Sequence, residues 1–198
     1  MRFWQSKKKI ETLKEIFFLL WLSAVESSDR VWAILFWWEK KKIINFKKWK
    51  VALFNIIKEI EDYKSVPKKG KKIWLKFLNE SKVKKSLVFV LSDKTEIKEK
   101  QLAISKERND ILFINIFDSF ENTLELGKNN ITLWNEKKEL NIDLANIKKK
   151  EEYVKLRREK IEKFRHTLQR KRIDYVYVDE KTNIYKELMK MMKMRGVK

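Results

Sequence analysis

The sequence predicts an α/β fold built on a mostly parallel sheet, and three observations carry that expectation. Two continuous apolar runs, Ser86-Leu87-Val88-Phe89-Val90-Leu91 and Ile111 to Phe117, each end in an aspartate, at Ser92-Asp93 and at Asp118. A stretch of helical character, about residues 96 to 107, lies between them. Strands that are apolar on both faces and joined through a helix belong to parallel sheets covered by helices. A strand with one wet face would alternate instead.

The remaining elements follow in order. Residues 7 to 26 carry Ile10, Leu13, Ile16, Phe17, Leu20 and Ala24 at the spacing of an amphipathic helix. Arg30 to Phe36 is a short apolar run after the polar Ser27-Ser28-Asp29 and fits a buried strand. Lys42 to Phe46 reads as a short edge strand whose lysines blunt the edge. A second helix fits residues 49 to 63 through Leu53, Phe54, Ile57 and Ile60. The single proline, Pro67, sits in the basic loop Val66 to Lys72, and a shorter helix is expected over 73 to 80. Residues 124 to 143 read as a polar hairpin with arms Ile131-Thr132-Leu133 and Leu140-Asn141-Ile142. A long charged helix is expected over about 146 to 171, then a strand Asp174-Tyr175-Val176-Tyr177-Val178. A final helix shows Tyr185, Leu188, Met189 and Met192 at helical spacing. No internal repeat or flexible linker interrupts the chain, so residues 1–198 are expected to form a single domain.

Composition narrows the function classes. The 198 residues suffice for one domain with a sizeable core, and an apolar share of 43% argues against wholesale disorder. The absence of cysteine excludes disulfides and thiolate metal sites, and it suits a reducing compartment. The longest apolar stretch, Ile16 to Val25, falls well short of the roughly 20 residues of a spanning helix. The basic start is followed by Glu11, Lys14 and Glu15 without a small-residue cleavage site, which is not the pattern of a signal peptide. The expected location is the cytoplasm.

The net charge of +20 admits two readings. One is a polyanionic partner, nucleic acid or an anionic membrane face. The other is bulk composition, because lysine outnumbers arginine 39 to 9 and is interleaved with glutamate, as in Lys98-Glu99-Lys100 and Lys137-Lys138-Glu139. A dedicated nucleic-acid surface would concentrate arginine on one element. The interleaving therefore favours solvating charge over a binding stripe.

Few residues invite a chemical role, and the chain is not expected to be an enzyme. His166 is the only histidine and stands beside Arg165 in the long helix, the setting of a surface residue more than of a general base. The three glycines, Gly70, Gly127 and Gly196, are isolated and make no phosphate loop. Met189, Met191, Met192 and Met194 read as packing of the last helix. Asp93 and Asp118 are different, because both lie where an apolar strand ends, the edge at which open parallel sheets place ligands. Carboxylates there suit a hard cation such as Mg²⁺. The competing reading is a turn or a helix N-cap, a common use of aspartate.

Taken in order, several segments resemble the von Willebrand factor A-like domain of the family catalogued as domain of unknown function fifty-eight. They are Ser28-Asp29-Arg30-Val31 running into Leu35-Phe36, Lys85 to Asp93, Arg108-Asn109-Asp110-Ile111, Asp118 to Leu126 with Glu121 and Gly127, and Ile173-Asp174-Tyr175 before a helix ending near Arg195. The resemblance implies a three-layer α/β domain with helices on both faces of the sheet. Such domains bind protein partners through a metal-ion-dependent adhesion site made of a D-x-S-x-S motif, a middle-loop threonine and a later aspartate. Only the last has a counterpart, Asp93; the middle loop offers Gly70-Lys71-Lys72-Ile73, and lysine cannot ligate a cation. The first motif is absent, and Met1-Arg2-Phe3 leading into Lys7 to Ile10 is similar to what directly follows it in relatives. The resemblance therefore implies a domain lacking its first central strand, as a C-terminal fragment or a gene begun at an internal methionine. The neighbours of the missing strand would be Arg30–Phe36 and Ser86–Leu91.

The function so implied is that of a protein-binding adaptor, partnering a MoxR-type AAA+ ATPase with which this family is often encoded. The alternative is a basic nucleic-acid-binding protein. No cofactor is expected, and Mg²⁺ would belong only to a full-length relative.

The tryptophans add a separate expectation. Eight tryptophans against three glycines invert the usual ratio, since glycine normally runs near 7%. Where relatives carry glycine or a small turn residue, this chain has Trp32, Trp37 and Trp38, and Trp4 and Trp49 fall at similar places. Glycine reaches positive φ at little cost, which an indole-bearing residue does not. Many of these codons are therefore expected to be UGA, read as glycine in the source organism. Peptide mass spectrometry of the native protein should find glycine at positions 32, 37 and 38; tryptophan there would end the hypothesis.

Overall fold

A computed structural model describes residues 5–37, 40–45, 49–61, 74–81, 83–93, 95, 97–124, 131–134, 139–143 and 146–196. Pro67, Gly70, Gly127, Trp4 and Trp38 lie outside the described residues. The chain divides into two compact units, residues 1–77 with 181–198, and residues 78–180.

The first unit begins with α1, Gln5–Glu26, in which Ile16 of the expected stripe is fully buried and Trp21, outside that stripe, is buried beside it, while Ile10, Leu13, Phe17, Leu20 and Ala24 are half-buried. Phe17 packs against the Trp21 indole with ring centroids 5.9 Å apart. β1, Trp32–Trp37, and β2, Lys40–Asn45, form an antiparallel hairpin in the register Trp32↔Asn45 to Trp37↔Lys40. α2, Trp49–Glu61, follows and buries Ile56 and Ile60. The C-terminal helix α7, Ile184–Met194, returns to this unit and contacts α1. Asn183 starts α7 by accepting the Lys186 N–H at 3.0 Å, which serves one of the orphan donors of the first turn. Trp32 is 54% exposed and lies inside β1 rather than at a turn. None of the described tryptophans has a positive φ, so the backbone at Trp32 makes no demand for glycine.

The second unit holds the parallel sheet. α3, Trp74–Glu80, leads into it across the boundary between the units. β3, Leu87–Ser92, is joined by α4, Glu99–Arg108, to β4, Asp110–Ile116. After β4 come α5, Ser119–Thr123, a hairpin of β5, Ile131–Trp134, with β6, Glu139–Ile142, then α6, Ile147–Arg170, and β7, Asp174–Val178. The three-stranded sheet runs β3-β4-β7, all parallel, with Leu87↔Asp110 and Leu112↔Asp174 as the first partners. β4 is central, and Ile111 through Ile116 are all buried, as a strand covered on both faces requires.

Side chains fix the helices to this sheet. Phe164 of α6 meets Phe113 of β4 and Tyr175 of β7 edge-on, at 5.7 and 5.9 Å. The Lys106 ammonium of α4 donates to the carbonyls of Lys171 and Arg172, satisfying acceptors where α6 ends. Arg108 donates to the carbonyls of Asn79 and Ser81, and Asn79 in turn hydrogen-bonds Ser105 and the Gln101 carbonyl. These bonds hold the segment before β3 against α4.

The expected parallel sheet is present as three strands, all parallel, and the other four described strands pair as two separate antiparallel hairpins. The short apolar run in β1 finds its partner in the next strand of the chain, antiparallel. Among the described residues no helix is long and apolar enough to cross a membrane.

Ile114 is fully buried in the central strand. Ile114→Ala should cost about 2–5 kcal/mol of unfolding free energy. Urea titration followed by far-UV circular dichroism measures it, with Ile104→Ala, exposed on α4, as the control that should change little.

Candidate functional site

The carboxyl ends of β3, β4 and β7 lie at one edge of the parallel sheet, and one group of linked polar side chains lies there. β4 and β7 end together, because the Phe117 N–H donates to the Val178 carbonyl at 2.8 Å. Phe117 is buried and stacks on Tyr177 with centroids 4.5 Å apart and planes inclined by 15°. Asp118 follows immediately and is buried, and its Oδ1 accepts the Phe120 N–H at 2.9 Å. It is the N-cap of α5, so the turn-and-cap reading of this strand-end aspartate is the one realised. Leu124 closes α5 in a left-handed conformation at φ 50°.

α5 then presents Ser119, Glu121 and Asn122 to their neighbours. The Ser119 hydroxyl donates to the Glu180 carboxylate, which also accepts the Ser119 N–H at 3.2 Å. Arg157 of α6 reaches across to this helix. Its Nη2 pairs with Glu121 Oε2 at 2.6 Å, its Nε donates to Asn122 Oδ1 at 2.8 Å, and its guanidinium lies 5.9 Å from the Phe117 ring centroid. Asn122 Nδ2 donates to the Tyr177 hydroxyl at 2.5 Å. The two charges of the Arg157–Glu121 pair are about three-quarters buried, so they are screened less than a surface pair and the contact is charge-assisted. The result is a rigid edge. One guanidinium ties α5, α6 and the end of β4 together, leaving Tyr177 and Glu180 partly open to solvent.

The phenols record the burial. Tyr153, beside Arg157, has its pKa raised by burial, and the nearby guanidinium opposes that shift. Tyr177 is raised by burial and then by Asp179, and Tyr175 is raised strongly by burial and then by Tyr177.

Asp93 is exposed in the bend after β3, level with the end of β4 through the Ser92↔Asn115 pairing. Among the described residues no three His, Asp or Glu side chains converge as a metal would require. A cation that releases water as reluctantly as Mg²⁺ needs several convergent oxygens, so one exposed carboxylate does not fit it. His166 is exposed on α6, and the loop from Gly70 to Ile73 lies outside the described residues.

The chain matches the family model for protein of unknown function DUF58 over residues 2–193. It belongs to the DUF58 family. No curated protein and no solved structure matches it.

Sequence reasoning on this DUF58 chain picked out the strand ends but not the contacts between them. Arg157, Asn122 and Tyr177 were not singled out, and Glu121 entered without a role. One signal was available: in a chain of 39 lysines, three of the nine arginines, Arg108, Arg157 and Arg170, make tertiary contacts that use the planar guanidinium.

The Tyr175 hydroxyl of this DUF58 chain is buried and meets no hydrogen-bond partner among the described residues. Removing it in Tyr175→Phe should leave stability unchanged or raise it by about 1 kcal/mol. The raised phenol pKa values mean that the fold favours neutral tyrosine. Their stabilising contribution is full below the ordinary value near 10 and is lost as pH rises through the folded values. Wild-type stability should fall above about pH 10, and Tyr175→Phe should fall less steeply; denaturant titrations from pH 8 to 11 decide it.

Proposed function

We propose that this chain is a protein-binding adaptor of von Willebrand factor A type, acting in the cytoplasm as partner of a MoxR-type AAA+ ATPase. The observation that carries this reading is the carboxyl edge of the sheet, where Arg157 holds Asn122, Asn122 holds the exposed Tyr177, and Ser119 holds the exposed Glu180. An exposed aromatic ring with hydrogen-bonding groups beside it fits a protein partner. Membership of the DUF58 family over residues 2–193 supports the reading, as does the β3-α4-β4 parallel unit with an aspartate directly after β3. With Asp93 alone from the adhesion site, the binding proposed is independent of metal.

The charge of +20 favours a second reading, retention on nucleic acid through phosphate contacts. The two separate in one titration. The full chain, immobilised and titrated with a MoxR-type ATPase from the same genome, should show saturable binding that survives moderate salt. Tyr177→Ala should weaken that binding by about tenfold or more, as loss of an aromatic anchor does. A chain that ignores the ATPase but binds DNA would support the second reading. Its log affinity should fall with log salt by about 0.9 per phosphate neutralised.

A further inference from the structure

β3 borders the parallel sheet. It pairs with β4 from Leu87↔Asp110 to Ser92↔Asn115, and among the described residues no strand lies on its other edge. The direction of its backbone groups follows from one bond, the Asp110 N–H donating to the Ser86 carbonyl at 2.9 Å. In a parallel ladder alternate residues turn both polar groups to the same neighbour. Ser86, Val88, Val90 and Ser92 therefore serve β4, and Leu87, Phe89 and Leu91 turn their N–H and C=O groups to the open edge.

Exposed edges are normally blunted with a lysine, a proline, a bulge or an inward charge. β2 carries three lysines, Lys40, Lys41 and Lys42. β3, with the sequence LVFVLS, carries no charge, proline or glycine, and its side chains are half-buried or exposed where those of β4 are buried. Charge appears only at its two ends, as exposed Lys85 and exposed Asp93.

We propose that this edge is the interface for a second copy of the chain, which pairs β3 with β3 antiparallel about a two-fold axis at Phe89. In that register Phe89 faces Phe89, Leu87 faces Leu91, and Ser86 faces Ser92. The outward backbone groups of all three odd-numbered positions then find partners. The same register brings Lys85 of each copy to the level of Asp93 of the other, giving two symmetric ion pairs. Moving the axis to Val90 sets Leu87 against Asp93, and moving it to Val88 sets Lys85 against Leu91. The end charges thus select one register. The proposal rests on the β3 edge alone and stands apart from the adaptor reading and its ATPase.

Sedimentation velocity of the full chain from about 1 to 100 µM, in about 0.15 M salt where screening acts beyond about 8 Å, tests it. Wild type should dimerise. Lys85→Asp and Asp93→Lys should each weaken the homodimer by about tenfold or more, because each replaces two attractions with two repulsions. An equimolar mixture of the two variants should recover the wild-type affinity within about threefold, since that heterodimer rebuilds both pairs. An unfolded variant would not be rescued by its partner, so recovery also reports that both fold. A wild-type monomer throughout the range, a dimer indifferent to the reversals, or a mixture no better than either variant overturns the proposal.

Discussion

Everything in the second unit depends on β4 being covered on both faces. A strand with Ile111 through Ile116 all buried cannot use an antiparallel hairpin neighbour with one wet face; it needs helices on its flanks and parallel neighbours delivered by crossovers. α4 and α6 are those crossovers; Lys106 ties α4 to the end of α6, and Phe164 pins α6 to the sheet between Phe113 and Tyr175. Parallel strands that start in register also end together. The constraint on β4 therefore places three strand ends, with the residues that follow them, along one edge. The Arg157 cluster is a consequence of that placement.

The charge of the chain can be understood through the same frame. Lysine solvates the surface, as the interleaved lysines and glutamates of α6 illustrate, whereas arginine is used where geometry matters. Arg108 reaches two carbonyls, and Arg157 serves a carboxylate, an amide and a ring face at once. A lysine at 157 could hold the carboxylate but could not present a second donor at fixed angle to Asn122. A net charge of +20 is compatible with a cluster of this precision, since the precision comes from the residue type and not from the total.

How much of this could be read beforehand varies with the range of the interaction. β3, β4 and β7 were legible because their apolar runs are local and continuous, and α1, α2 and α6 because their stripes repeat over several turns. α5 was not legible, since five residues, Ser119–Thr123, are too few to show a helical period and only the Asp118 cap announces it. The role of Asp118 followed from a general preference of aspartate for N-caps, but its burial did not. Arg157 and Glu121 are 36 positions apart, and no pattern in a single sequence marks that pair. The hairpin of β1 and β2 was half legible. Both strands could be located, but pairing belongs to the backbone between them and not to their hydropathy.

The remaining step concerns the tryptophans, which cannot all be treated alike. Trp32 is more than half exposed in β1, where its extended backbone accepts any residue and glycine would give up only surface contacts. Trp21 is the opposite case. It is 3% exposed in the middle of α1 and packed against Phe17, where glycine would leave a cavity of indole size and add about 1 kcal/mol of lost helix propensity. Recoding that turned Trp32 into glycine would be nearly neutral for the fold, whereas the same change at Trp21 would remove a core residue of the first unit. If all eight codons are read as glycine, α1 must find another way to fill that space. The physical argument therefore separates exposed strand positions, where recoding is cheap, from Trp21, where the packing itself argues for an indole.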